Sequence, residues 1–152
     1  MKKMNYQAYL EKFSFAKVKK VVVAEITAAN NSNSVIALSL AIGAFLAFSP
    51  AWGFQTALAI SLAVLFRLNK VLVLITVNIS SIPPLIPLIL IVGYQVGTFT
   101  LTGAFQSEVP DLMNLKTLGE NYLQFAIGSL LVASGIGALF FLLIYFLLKR
   151  FR

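Results

Sequence analysis

The chain has 152 residues, of which 59% are hydrophobic and only 11% charged, and it carries a formal net charge of +7. A soluble domain usually holds about a quarter charged residues, so this composition, with a mean hydropathy of +0.90, argues for an integral membrane protein. Cys and His are both absent, which excludes disulfides and thiolate metal sites and removes the commonest general base.

Residues 1–33 form a basic amphipathic segment. Lys2, Lys3, Lys12, Lys17, Lys19 and Lys20 oppose Glu11 and Glu25, and Tyr6, Tyr9, Leu10 and Phe13 recur at helical spacing. Such a helix suits a membrane surface or the face of a partner. Mixed polar residues precede the first apolar run, so the start does not read as a signal peptide. Asn30 to Ser34 reads as a turn, with Ser34 as a candidate N-cap.

Val35 to Phe48 is apolar, but as a helix it reaches only ~21 Å, against a hydrocarbon core of ~30 Å. Ser49-Pro50-Ala51-Trp52-Gly53 interrupts it, and Ala57 to Phe66 is again too short to cross. Three readings compete for 35–66: one kinked span, two spans, or a re-entrant hairpin. Two spans fail on length. Arg67, Asn69 and Lys70 then mark a basic corner. Val71 to Gly97 is long enough to cross, with a break at Asn78, Ser80, Ser81, Pro83, Pro84 and Pro87. Residues 98–121 form a loop with Glu108, Asp111 and Glu120 against Lys116. Tyr122 to Leu148 is uncharged and long enough for a full span, and the chain ends on Lys149, Arg150 and Arg152.

The positive-inside rule favours the hairpin. With 35–66 entering and leaving on one face, 71–97 crossing and 122–148 returning, every basic cluster lies inside and the acidic loop outside. A single span at 35–66 would set the N-terminal lysines opposite Arg67 and Lys70. Both polar breaks then meet near mid-depth, where broken helix ends offer N–H groups to an anion or carbonyls to a cation. The candidate binding residues are Ser49, Pro50, Gly53, Gln55, Thr56, Asn78, Ser80, Ser81, Pro83 and Pro84. The competing view is that the two breaks only satisfy one another's backbone. Arg67, Asn69 and Lys70 hold a head group or set orientation, the latter being expected at any inner loop. Ser39/Gly43/Ala47, Gly93/Gly97 and Ser129/Ala133/Gly137 are small-residue stripes suited to close helix packing.

No nucleotide loop, metal-ligand cluster or catalytic triad pattern is present. No carboxylate falls within an apolar tract, so proton coupling and acid–base catalysis are not expected. Neither a cofactor nor a metal is implied, and the chain does not read as an enzyme. The basic residues flank apolar tracts, which points to lipid head groups and not to nucleic acid.

The order Ala37, Gly43, Pro50-x-x-Gly53-x-Gln55-Thr56-x-Leu58-Ala59, Arg67-x-Asn69-Lys70, Asn78, Pro83-Pro84-x-Ile86-Pro87, Gly93, Gly97 resembles the DUF2062 family of small bacterial membrane proteins. The resemblance covers roughly 34–97. Family positions carried over are Pro50, Gly53, Gln55, Arg67, Asn69, Asn78, Pro83 and Pro84. Many members have an Asn-Pro pair where this chain has Asn78 to Pro84, so it is similar to the branch found fused behind family-2 glycosyltransferase domains. That implies a bacterial inner membrane, a glycosyltransferase as partner, and a polyprenyl-linked or other anionic lipid as ligand.

The sequence therefore predicts an all-α integral membrane protein with cytoplasmic termini. It has an N-terminal amphipathic helix, a re-entrant helical hairpin (35–66), a Pro-broken span (71–97), an external loop (98–121) and a straight C-terminal span (122–148). Four such segments enclose little, so a homo-oligomer is expected. The expected function is transport or lipid handling at a mid-depth polar site. The alternative is a non-transporting anchor or scaffold for a cell-envelope enzyme such as a glycosyltransferase.

Overall fold

A computed structural model describes residues 15–28 and 31–152, and the regular structure among them is entirely helical. The amphipathic face expected from Tyr6, Tyr9, Leu10 and Phe13 lies outside the described residues. Helix α1 (Phe15–Thr27) carries Lys17, Lys19 and Lys20 exposed.

Helix α2 (Asn33–Phe48) is capped two residues before the expected position. Ser32, in extended backbone, accepts from the Val35 N–H at 3.3 Å, while Ser34 is already inside the helix. An N-cap must be extended for its oxygen to reach back over the first turn, and Ser34 is not. Ser39, Gly43 and Ala47 are buried along one side of α2. A Cβ at Gly43 would sit 2.6 Å from Thr76 Cβ and 2.8 Å from the Val73 carbonyl. The stripe thus lets α2 press against helix α4 (Lys70–Val77).

Between α2 and α4 the chain doubles back through helix α3 (Gln55–Leu65). The turn before α3 is closed by the Phe54 N–H to the Ala51 carbonyl, 3.0 Å, with Gly53 at φ 86° in the position that favours glycine. Ala59 and Ala63 of α3 pack with Leu46, Val73 and Val77. The α3 C-terminus is a Schellman motif: the Leu68 N–H reaches the Ala63 carbonyl at 2.8 Å and the Arg67 N–H reaches that of Val64 at 3.2 Å. Arg67 therefore takes a left-handed φ of 52°, and Leu68 is buried. The Asn69 N–H then donates to Ser39 Oγ at 2.9 Å, so α3 has brought the chain back level with the first half of α2.

The tract expected as one interrupted span consists of α4, a 3-10 turn (Asn78–Ser81) and helix α5 (Leu85–Thr102). Pro83 and Pro84 precede α5 and Pro87 lies in its first turn, where no helical partner exists for an N–H and a fixed φ fits. Carbonyls freed by the interruption are taken up locally: Ile82 N–H to Ile79 O at 3.1 Å, Leu85 N–H to Ile82 O at 2.9 Å, and Ile86 N–H to Pro83 O at 3.4 Å. Helix α5 runs past Gly97 to Gly103, a left-handed cap with φ 77°. The following loop carries a short helix α6 (Leu115–Glu120), and α7 (Tyr122–Phe151) extends to include Lys149 and Arg150.

Helix α7 carries α2 and α5 end to end along its length. Its C-terminal part faces α2, where a Cβ on Gly137 would lie 3.2 Å from Phe45 Cβ, and Arg152 donates to the carbonyls of Ala28 and Asn31. Its N-terminal part faces α5 in antiparallel sense: a Cβ on Gly97 would collide with the Gln124 carbonyl, and one on Gly128 with the Gly93 carbonyl. Ser129, Ala133 and Gly137 are all buried, so the small-residue stripes serve internal packing. Helices Leu85–Thr102 and Tyr122–Phe151 are long and apolar enough to cross a membrane. Large apolar side chains point outward along both, Leu88, Ile91 and Phe99 on α5 and Leu130, Leu142 and Phe146 on α7.

Candidate functional site

The turn at the tip of the α2–α3 pair and the interruption between α4 and α5 face one another across a cleft of about 220 Å³. Trp52, Gly53, Gln55, Ser80, Ser81 and Ile86 line it. Each is where it is for a local reason. Gly53 permits the turn, Gln55 opens α3, and the 3-10 turn presents Ser80 and Ser81. The Ser80 hydroxyl ties the two sides together. It lies 3.2 Å from Gln55 Oε1 and 2.9 Å from the Val77 carbonyl. Trp52 sits edge-on to Phe125 of α7, with ring centroids 6.2 Å apart, and packs on the cluster of Leu90, Tyr94, Leu112 and Phe125.

Of the residues expected at the site, the cleft gathers Gly53, Gln55, Ser80 and Ser81. The others stand around it. Ser49 is buried and its Oγ donates to the Leu46 carbonyl at 2.9 Å, closing the end of α2. Asn78 Nδ2 donates to the Leu74 carbonyl at 2.7 Å and so caps α4. Thr56, Pro83 and Pro84 are exposed and Pro50 is half-buried, and none of these lines the cleft. Trp52 and Ile86 are the lining residues that the motif reading left out. The single Trp between Pro50 and Gly53 was the available signal for the first.

The cleft holds an electrostatic asymmetry. Trp52 Nε1 and Gln55 Nε2 are both buried and both lack a hydrogen-bond partner. An unpaired buried donor costs about 1–3 kcal/mol, and both of these belong to residues that line the cleft. Helix α3 also begins at Phe54 without a side-chain cap.

A second, apolar crevice of about 180 Å³ lies where Phe48 of α2 meets α5 and α7, lined by Leu88, Ile89, Gly93 and Val132 among others. The Ser129 hydroxyl borders it, buried and unpartnered.

At the basic corner, Asn69 does three things. It caps α4, with Oδ1 accepting from Val71 and Leu72, its N–H holds Ser39, and its Nδ2 donates to Glu25 of α1 at 2.7 Å. Arg67 and Lys70 beside it are exposed. Among the described residues no group of three or more His, Cys, Asp or Glu side chains is placed to hold a metal ion.

No curated protein and no solved structure matches the chain. One family model does, over residues 18–152, which takes in α2 to α7, the cleft and the basic corner. The chain belongs to that family, described as an uncharacterized protein conserved in bacteria (DUF2062).

Proposed function

We propose that the chain is a small inner-membrane protein that binds and handles a lipid at the Trp52–Gln55/Ser80–Ser81 cleft, with its termini on the cytoplasmic side. The observation that carries this reading is the cleft itself: two polar interruptions of apolar tracts brought together, with two buried donors left unpaired.

Helix lengths support a re-entrant hairpin. Helix α2 has 16 residues and α3 has 11, so they reach ~24 Å and ~16 Å, short of a ~30 Å hydrocarbon core. Helix α7, with 30 residues, reaches ~45 Å. The Asn69–Ser39 bond returns the basic corner to the end of α2 nearest Arg152. The basic groups Lys17 to Lys20, Arg67, Lys70 and Lys149 to Arg152 then share one side, and Glu108, Asp111 and Glu120 the other, as the positive-inside rule asks. The contact of Trp52 with Phe125, in the first turn of α7, supports a cleft in the outer part of the membrane. Irregular backbone is tolerated at such depth when it is buried in protein or lines a wet cavity. The cleft is open on one side, and a second copy of the chain would close it.

Native mass spectrometry of gently extracted protein tests the proposal. The wild type is expected to retain lipid, and Gln55→Ala to lose it while still folded. Equal lipid retention by both contradicts the site. A lipid-free wild type travelling with another envelope protein would instead favour an anchor or scaffold, the partner being an enzyme such as a glycosyltransferase.

A further inference from the structure

Resting on that reading of the cleft, we infer that its ligand is a hydrogen-bond acceptor: a phosphate ester or another oxyanion, and not a cation. The carbonyl-bearing and amide-bearing helix ends at the cleft are treated differently. The last turns of α2 and α4 are closed by side chains. Ser49 Oγ donates to Leu46 O, Asn78 Nδ2 to Leu74 O, and Ser80 Oγ to Val77 O. Those carbonyls already accept a hydrogen bond each, and none of Leu46, Leu74 and Val77 lines the cleft. Helix α3, by contrast, starts with no side-chain cap, and its first residue is Gln55.

The orphan atoms point the same way. Trp52 Nε1 is a donor and nothing else. As placed, Gln55 Nε2 has no partner and Oε1 lies 3.2 Å from Ser80 Oγ; turned over, Nε2 would donate to Ser80 and Oε1 would be the unpartnered atom, so the sign of the cleft rests on Trp52 Nε1. No carboxylate lines the cleft, and Glu25 is engaged with Asn69 at the far end of α3. A cation would find few acceptors there, whereas an oxyanion would meet donors with no competing negative charge. The same oxyanion chemistry is offered by a lipid phosphate within the bilayer and by free phosphate entering from water.

Trp52 is the sole Trp of the chain, so its emission reports the cleft. The full-length protein is placed in phosphatidylcholine nanodiscs and titrated with phosphatidic acid, with inorganic phosphate, and with the cationic amphiphile dodecyltrimethylammonium. A saturable change with phosphatidic acid, weakened about tenfold or more by Gln55→Glu, is the expected result. That variant keeps an oxygen facing Ser80 but replaces the free donor with a negative acceptor. Ser81→Asp, at an exposed position lining the cleft, repeats the test on a second variant and is expected to weaken binding likewise. The same response to inorganic phosphate alone upholds the oxyanion class and assigns the source to free phosphate. A response to the cation and to neither phosphate overturns the inference while leaving the cleft a binding site. Unchanged affinity in both acidic variants also overturns it. No response to any of the three overturns the inference and the cleft reading together.

Discussion

Arg67 takes a conformation that suits glycine. Its φ of 52° is required because it is the left-handed residue of the Schellman motif that ends α3. For a residue with a Cβ that region costs roughly 1 kcal/mol or more. Arg67→Gly is therefore expected to raise the thermal midpoint of the folded protein in detergent, by a stabilisation of about 1 kcal/mol. A lowered midpoint would mean that the guanidinium makes a stabilising contact stronger than that strain. The corner was legible as basic from the sequence. Its strain was not, since nothing in Arg67-x-Asn69-Lys70 signals a left-handed residue. Gly53 and Gln55 were legible because a Pro/Gly interruption in an apolar run forces a turn, and polar residues within it need partners. Asn78, expected among the binding residues, does not line the cleft. A polar side chain at a helix break has two uses, and here it caps α4 through the Leu74 carbonyl.

At the scale of elements, the small residues decide which helices touch. Gly97 of α5 and Gly128 of α7 pack so closely that a Cβ on either would collide with backbone, and one on Gly93 would meet the Ser129 hydroxyl. Gly135, two turns further along and exposed, has nothing within 4 Å of an added Cβ. Gly128→Ala is accordingly expected to destabilise by about 1–3 kcal/mol or more through forced separation of the two helices. Gly135→Ala is expected to be neutral or to stabilise by up to ~1 kcal/mol through helix propensity. Thermal unfolding of the pair in one detergent checks both, and equal destabilisation would contradict this account of the interface. The stripes themselves were readable at four-residue spacing, and so was the interruption before α5. Which stripe meets which was not. Gly43 meets α4, Gly137 meets α2 and Gly93 meets α7, and such pairings are set by tertiary packing and carry no local signature. The bond between Glu25 and Asn69, 44 positions apart, is hidden from sequence for the same reason.

For the whole molecule, α7 serves as the post against which α2 and α5 stack in succession. The hairpin α2–α3 runs along it from Arg152, and the turn at its tip carries Trp52 to Phe125 in the first turn of α7. The proposed function depends on that arrangement being a re-entrant hairpin, because only then does the cleft sit at depth with both basic flanks on one face. The chain contains no Cys, so single-cysteine variants report position without interference. Lys70→Cys, Asp111→Cys and Lys149→Cys would each be exposed to a membrane-impermeant maleimide in vesicles of known orientation. Labelling of Lys70→Cys and Lys149→Cys from the same, cytoplasmic side, and of Asp111→Cys from the other, is the predicted result. Labelling of Lys70→Cys from the side opposite Lys17→Cys, an exposed position on the N-terminal flank, would make 35–66 a crossing span and contradict the account.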